Sequence, residues 1–230
     1  MKIQVKDIRR LFEKHRFLWG IVLIVIFAFL RFIQTYTWRT WFGSLDFQVS
    51  SQFALFLLVW FVIMSFGLII GGIVCLTRTA WHQLGWSRKG LLKAIGLGIL
   101  GYILLNINLF VWAIAKGSTQ QPQITVPSLS RLLLVAFFAF GLPAWVEENL
   151  YRGYLQPILS QRMKLWLAIV IQAAFFSLAH LGYLSNPYDF CSAFVAGLVL
   201  GWLRGRESNI VAPFVAHGLF WMAAAFMPVA

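Results

Sequence analysis

The chain alternates between long apolar runs and short polar connections. About 20 consecutive apolar residues suffice for an α-helix to cross a bilayer. Apolar runs of about that length fall at 17–33, 52–76, 91–115, 130–151, 165–183, 188–204 and 209–228. The pattern therefore predicts an all-α, polytopic membrane helix bundle of about seven transmembrane helices, of which the sixth is short.

Basic residues mark alternate connections between these runs. The N-terminus, 77–93, 152–164 and 204–207 are rich in lysine and arginine, whereas the other connections carry few. Cytoplasmic connections are the ones that carry an excess of Lys and Arg. We therefore expect the N-terminus in the cytoplasm. Residues 1–16, which are basic and amphipathic, are expected to lie on the membrane surface.

Composition supports a membrane protein and argues against a nucleic-acid-binding one. The 230 residues are 60% hydrophobic and 11% charged, whereas soluble domains are about 45–50% apolar and about 25% charged. The net charge of +12 comes from residues at the ends of apolar runs, not from one basic face. We therefore expect contact with the lipid bilayer and no nucleic-acid partner, in an integral, multi-pass membrane protein. The membrane that we expect is that of a prokaryotic cell.

Two adjacent carboxylates, Glu147 and Glu148, follow the apolar stretch 132–146 in a chain with only seven acidic residues. A charge at bilayer depth costs about 2.5–3.5 kcal/mol on insertion scales, so such residues are candidates for function. Glu148 and Arg152 have the i, i+4 spacing of a helical ion pair. Glu147 is rotated by about 100° from Glu148, which leaves it available as a general base.

Two histidines lie inside predicted spans, His180 on the fifth and His217 on the seventh. Counted from a turn near Arg162, Glu147 and His180 have similar depth, whereas His217 comes out shallower. Two chemistries fit this set. Glu147 and His180 activate a water while His217 stabilises an oxyanion, or the three side chains bind a divalent metal. The metal is the minority alternative, because no His-Glu-x-x-His pair is present.

Three motifs follow one another on apolar helices. They are Glu147-Glu148-Asn-Leu-Tyr-Arg152, which fits EExxxR, Phe176-Ser-Leu-Ala-His180, which fits FxxxH, and His217-Gly-Leu-Phe-Trp221, at the place of HxxxN. With them the chain resembles the CPBP family of intramembrane proteases, which includes CAAX proteases and bacteriocin-processing enzymes and is also called the Abi family. The resemblance covers about residues 85–225. It divides the chain into the surface segment 1–16, N-terminal helices over 17–84 and a catalytic bundle over 85–230.

The resemblance implies a glutamic endopeptidase with no essential metal or other cofactor. Glu147 and His180 would activate water, His217 would bind the oxyanion and Arg152 would support Glu148, in a site that opens towards the cytoplasm. The substrate would be a peptide or protein at the membrane, either membrane-associated or lipid-modified. Phe176 belongs to the supporting set.

Trp221 departs from the family pattern, which often has asparagine there. An indole has one N–H and can donate a hydrogen bond, but it is far larger than an amide. Either this indole or a backbone N–H replaces the asparagine, or the pocket takes a different substrate, or the protein is a weak or inactive member. Two alternatives to a protease remain: a non-catalytic scaffold or immunity-type protein on the same fold, and a transporter with a Glu/His relay. Against the transporter, no inverted repeat is evident.

Overall fold

The computed structural model describes residues 15–42, 51–117, 124–180 and 187–226, which are helical and contain no strand. The predicted surface segment 1–16 lies almost entirely outside these residues. Each π-type or 3-10 stretch is counted here with the α-helix that it continues. The helices are then α1 Arg16–Phe42, α2 Ser51–Leu76, α3 Leu91–Ala115, α4 Leu129–Ser160, α5 Leu165–Leu178, α6 Pro187–Glu207 and α7 Val211–Phe226. The predicted all-α class is confirmed.

Four of these helices are long and apolar enough to cross a membrane: Arg16–Thr37 within α1, then α2, α3 and α4. The apolar helices α5 and α7 are shorter. Large apolar side chains lie exposed on the outer faces of α1 and α3, among them Phe29, Leu92 and Phe110. Lipid tails would cover such surfaces, so the chain is an integral membrane protein, as predicted.

Helix α4 carries the central irregularity of the fold. Its middle section, Phe140–Leu155, has π-type turns and contains Pro143. Proline removes one backbone donor from a helix interior, and π-type turns occur often at functional sites. The helix extends to Ser160, beyond the apolar run that ends at residue 151, so that the paired glutamates and Arg152 lie well inside it.

The connections meet in two groups, one at each end of the bundle. At the basic end, the Ile210 backbone N–H donates to the Gly85 carbonyl at 3.0 Å. At the other end, the Thr125 N–H donates to the Phe226 carbonyl at 2.8 Å, and Lys116 forms an ion pair with Asp189. This is the grouping that the charge pattern requires. The orientation of the bundle in a bilayer stays a prediction.

Small residues let α6 approach α5 closely. A Cβ added at Gly197 would lie 2.9 Å from the Cα of Ala173. The Gly197 carbonyl accepts a hydrogen bond from Gln172 Nε2 at 2.8 Å, and the Gly201 carbonyl accepts one from Gln156 Nε2 at 2.9 Å. Close backbones and side chain-to-carbonyl bonds are typical of helix contacts in membranes. This packing holds α4, α5 and α6 in the positions that build the site.

Candidate active site

An anchored ion pair lies on α4. Arg152 Nη1 donates to Glu148 Oε1 at 3.0 Å, and both side chains are fully buried. Arg152 Nη2 donates to the Gly197 carbonyl of α6 at 3.2 Å, and its guanidinium carbon lies 4.4 Å from the centre of the Phe176 ring of α5. Charge-assisted bonds are stronger than neutral ones. The arginine therefore fixes Glu148 and connects three helices.

His217 on α7 is held at both ring nitrogens. Its Nδ1 lies 2.7 Å from Glu148 Oε1, and a carboxylate can only accept, so Nδ1 carries the hydrogen. The indole Nε1–H of Trp221 donates to His217 Nε2 at 3.1 Å, so that nitrogen carries the lone pair. Glu148 and Trp221 together therefore select the neutral Nδ1–H tautomer. In this arrangement His217 presents no N–H to a substrate.

His180 follows the end of α5 and faces Glu147. Its Nδ1 lies 2.6 Å from the Phe176 carbonyl oxygen, which can only accept, so Nδ1 again carries the hydrogen. His180 Nε2 lies 3.6 Å from Glu147 Oε2, and His217 Nε2 lies 3.9 Å from the same oxygen. The structure therefore brings Glu147, His180 and His217 together, although the depth count from the sequence placed His217 at a shallower level than the other two.

The carboxylate of Glu147 is buried, with 1% of the side chain exposed. Within the described residues neither of its oxygens has a hydrogen-bond partner. Its Oε1 lies 3.7 Å from Nη2 of Arg31 on α1, and Arg31 Nη1 donates to Gln34 Oε1 at 2.6 Å. Sequence reasoning missed Arg31, because it lies near the end of the first apolar run. The available signal was an ionisable residue within a span.

A cavity of about 260 Å³ opens beside the two histidines. It lies between α3, α5, α6 and α7, and its walls include Phe176, His180, His217, Trp221 and Asp189. Asp189 is at the end of the bundle opposite to the basic connections, and the cytoplasmic opening that the resemblance implied stays a prediction. A larger apolar cavity of about 690 Å³ lies between α1 and α2, and the described residues that line it include no titratable side chain.

Metal binding was the minority alternative for the same side chains. Among the residues that the structure describes, no three His, Cys, Asp or Glu side chains are arranged to hold a metal ion. Both ring nitrogens of His217 are engaged, by Glu148 and by Trp221. A metal on His217 would therefore have to displace one of these two contacts.

Comparison with known proteins places this site in a protease family. Residues 129–223 match the family described as Type II CAAX prenyl endopeptidase Rce1-like. The match runs from the start of α4 to the end of the Trp221 motif, and α1 to α3 lie outside it. No curated protein and no solved structure matches the chain. The match over residues 129–223 supports the resemblance to the CPBP-type CAAX proteases that the motifs predicted.

Proposed function

We propose that the chain is an intramembrane endopeptidase that hydrolyses a peptide bond of a membrane-associated or lipid-modified protein or peptide. Glu147 and His180 activate the attacking water, and no metal takes part. One observation carries the proposal. The buried Glu147 carboxylate has no hydrogen-bond partner among the described residues, and it faces His180 Nε2 at 3.6 Å.

Two acceptors facing each other favour a water between them. Neutral His180 has its hydrogen on Nδ1, so the lone pair of Nε2 and the Glu147 carboxylate can each accept one hydrogen of the same water. The water oxygen then attacks the scissile carbonyl carbon while Glu147 takes the proton. As the C–N bond breaks, Glu147 passes this proton to the leaving amine nitrogen. General acid–base transfer of this kind contributes about 10²–10⁴ in rate.

The oxyanion needs a donor other than His217, whose Nε2 accepts a hydrogen bond from Trp221. Trp221 is the group with the required N–H, and it lines the cavity beside His217. In our proposal the indole turns its N–H from His217 Nε2 to the developing oxyanion, and so takes the place of the usual asparagine amide. His217, held by Glu148, then acts as the support of Trp221.

The substrate class rests on the family description, which names a CAAX prenyl endopeptidase. A prenylated C-terminal tail is therefore the first substrate to test. The probe is a farnesylated peptide ending in Cys-Val-Ile-Met with a free carboxylate and a fluorophore–quencher pair across the expected cleavage site. The unprenylated peptide of the same sequence is its partner, since it separates recognition of the lipid from recognition of the peptide.

The test compares purified wild-type protein with Glu147→Gln and His180→Ala in proteoliposomes. Matched controls are Glu207→Gln, at the end of α6, and His82→Ala, an exposed histidine of the connection before α3. We expect cleavage by the wild type and both controls, and a loss of at least about 100-fold in both site variants. Cleavage that survives in Glu147→Gln overturns the proposal. A folded wild type that cleaves neither peptide, with site variants that only lose stability, favours the scaffold alternative.

A further inference from the structure

We propose that Arg31 of α1 is a positioning residue for Glu147, so that α1 forms part of the catalytic unit although it lies outside the family match. The proposal rests on the proposed function in one respect, namely that Glu147 is the general base. It assigns a role to a helix in which the sequence shows no family motif. The observations that support it are a register between two helices, the arrangement of charges around Glu147 and the place of Arg31 relative to the cavity.

Two matched contacts set the register of α1 against α4. The rings of Phe27 and Tyr151 meet edge to face at a centroid distance of 6.0 Å. One turn later on α1 and one turn earlier on α4, Arg31 Nη2 lies 3.7 Å from Glu147 Oε1, so the two helices run antiparallel here. Because both pairs have i, i+4 spacing, one face of α1 lies along one face of α4. Nearer the basic end, the Tyr154 hydroxyl donates to the Arg16 carbonyl at 3.3 Å, which is a further contact between the two helices.

The charges around Glu147 show why this arginine matters. On its own helix Glu147 has Glu148, Tyr151 and Arg152 as neighbours. The guanidinium of Arg152 is directed to Glu148 at 3.0 Å. The neighbouring helices contribute Arg31 from α1, His180 from the end of α5 and His217 from α7.

Both histidines carry their hydrogen on Nδ1 and turn Nε2 towards Glu147. In this neutral form neither ring brings a positive charge to the carboxylate. Among the residues that the structure describes, Arg31 is the cation that faces Glu147 across a helix contact, and its side chain is 4% exposed. Opposite charges attract more strongly where water is excluded. Arg31 is therefore placed to hold the buried Glu147 carboxylate by a charge interaction across the helix contact.

Arg31 also selects which oxygen of Glu147 performs the chemistry. It lies against Oε1, whereas His180 and His217 lie against Oε2. Gln34, one turn further along α1, accepts from Arg31 Nη1 at 2.6 Å and holds the guanidinium in place. Arg31 is not among the residues that line the cavity beside the histidines. It acts through Glu147 and not on the substrate, so its loss should lower kcat and leave KM unchanged.

The test measures kcat and KM separately, with the farnesylated peptide in proteoliposomes, for wild type, Arg31→Gln and Arg31→Lys. The control is Arg131→Gln. Arg131 is also a buried arginine, but it precedes Glu147 by 16 residues, about 24 Å along α4, and it donates to the Ala224 carbonyl. We expect kcat of Arg31→Gln to fall about 100-fold, the size of effect that a misplacement of about 1 Å produces.

Two further results are required: KM of Arg31→Gln within about twofold of wild type, and recovery of at least about tenfold in kcat by Arg31→Lys, which restores the charge but not the planar fork. A kcat of Arg31→Gln within about threefold of wild type, or a rise in KM with kcat unchanged, overturns the proposal. So does an Arg131→Gln variant with the same loss of kcat.

A second measurement does not depend on activity and covers a poorly folding Arg31→Gln. It is the thermal unfolding midpoint in detergent of wild type, Arg31→Gln, Glu147→Gln and the double variant. We expect Arg31→Gln to lower the midpoint much more when Glu147 is present than when it is already glutamine. Equal shifts in the two backgrounds contradict the contact. If the wild type cleaves no peptide, the proposed function fails, whereas this cycle still tests the pairing of Arg31 with Glu147.

Discussion

Replacing Arg152 by methionine tests the buried network that holds the site together. The guanidinium is fully buried and makes three contacts: to Glu148 at 3.0 Å, to the Gly197 carbonyl at 3.2 Å and over the Phe176 ring at 4.4 Å. Methionine preserves much of the side-chain volume but supplies no charge and no donor. The variant therefore leaves the Glu148 carboxylate buried without its cation.

The expected loss of stability follows from these contacts. Breaking a buried ion pair from one side costs about 3–5 kcal/mol. We expect about 3 kcal/mol, the lower end, because Glu148 keeps its hydrogen bond from His217 Nδ1 at 2.7 Å, and bonds to charged groups contribute about 1.5–3 kcal/mol. In a Glu148→Gln background the same substitution strands no carboxylate and removes a buried arginine that has lost its partner. That relief offsets the loss of the bond to the Gly197 carbonyl, so the cost there should be no more than about 1 kcal/mol.

The assay is reversible unfolding by SDS in mixed micelles, followed by circular dichroism, for wild type, both single variants and the double variant. The two backgrounds should differ by about 2 kcal/mol in the cost of Arg152→Met, which is the coupling of the pair. Arg162→Met is the control. Arg162 is an exposed arginine over the Phe17 ring, and such a contact contributes about 0.5–1 kcal/mol. A cost of Arg152→Met no larger than that of the control, or equal costs in the two backgrounds, refutes the reasoning.

Two further outcomes follow from the site. Trp221→Phe keeps an aromatic ring but removes the N–H, so it should lower kcat by about 10²–10³ in the peptide assay. Trp221→Asn should retain activity, because it restores an amide donor. Equal activity of wild type and Trp221→Phe would exclude the indole as donor. Prolonged dialysis against a chelator should leave the cleavage rate unchanged, and loss of activity that zinc restores would instead support a metal held by Glu147, His180 and His217.

The sequence predicted the helices well because their signal is local. Apolar runs of spanning length and alternate basic connections are visible without any knowledge of packing. The fourth apolar run ends at 151, nine residues before the helix does at Ser160. Its polar middle, from Glu147 to Arg152, reads as a helix end when only hydropathy is considered. The structure buries that section between other helices, where Glu148 pairs with Arg152 and His217.

The site was partly predictable for a similar reason. The Glu148–Arg152 spacing and the three motifs are properties of single helices. In contrast, Arg31 reaches Glu147 from a helix 116 positions earlier in the chain, and nothing local to either residue encodes that contact. The tautomer of His217 depends on both Glu148 and Trp221. The sequence does not show this tautomer, and we predicted from it that His217 stabilises the oxyanion. In our proposal Trp221 is the donor instead, because His217 Nε2 accepts a hydrogen bond.

The central claim is that Glu147 activates water for direct attack on a peptide bond. A single-turnover reaction of excess purified protein with the farnesylated peptide in ¹⁸O-labelled water tests it, with mass spectrometry of both the peptide product and the protein fragment that contains Glu147. The account predicts one ¹⁸O atom in the new carboxylate of the product, none in Glu147, and no product with Glu147→Gln. Label in Glu147 with an unlabelled product would indicate a covalent acyl intermediate, and labelled product from Glu147→Gln would show that another group activates the water; either result would contradict the claim.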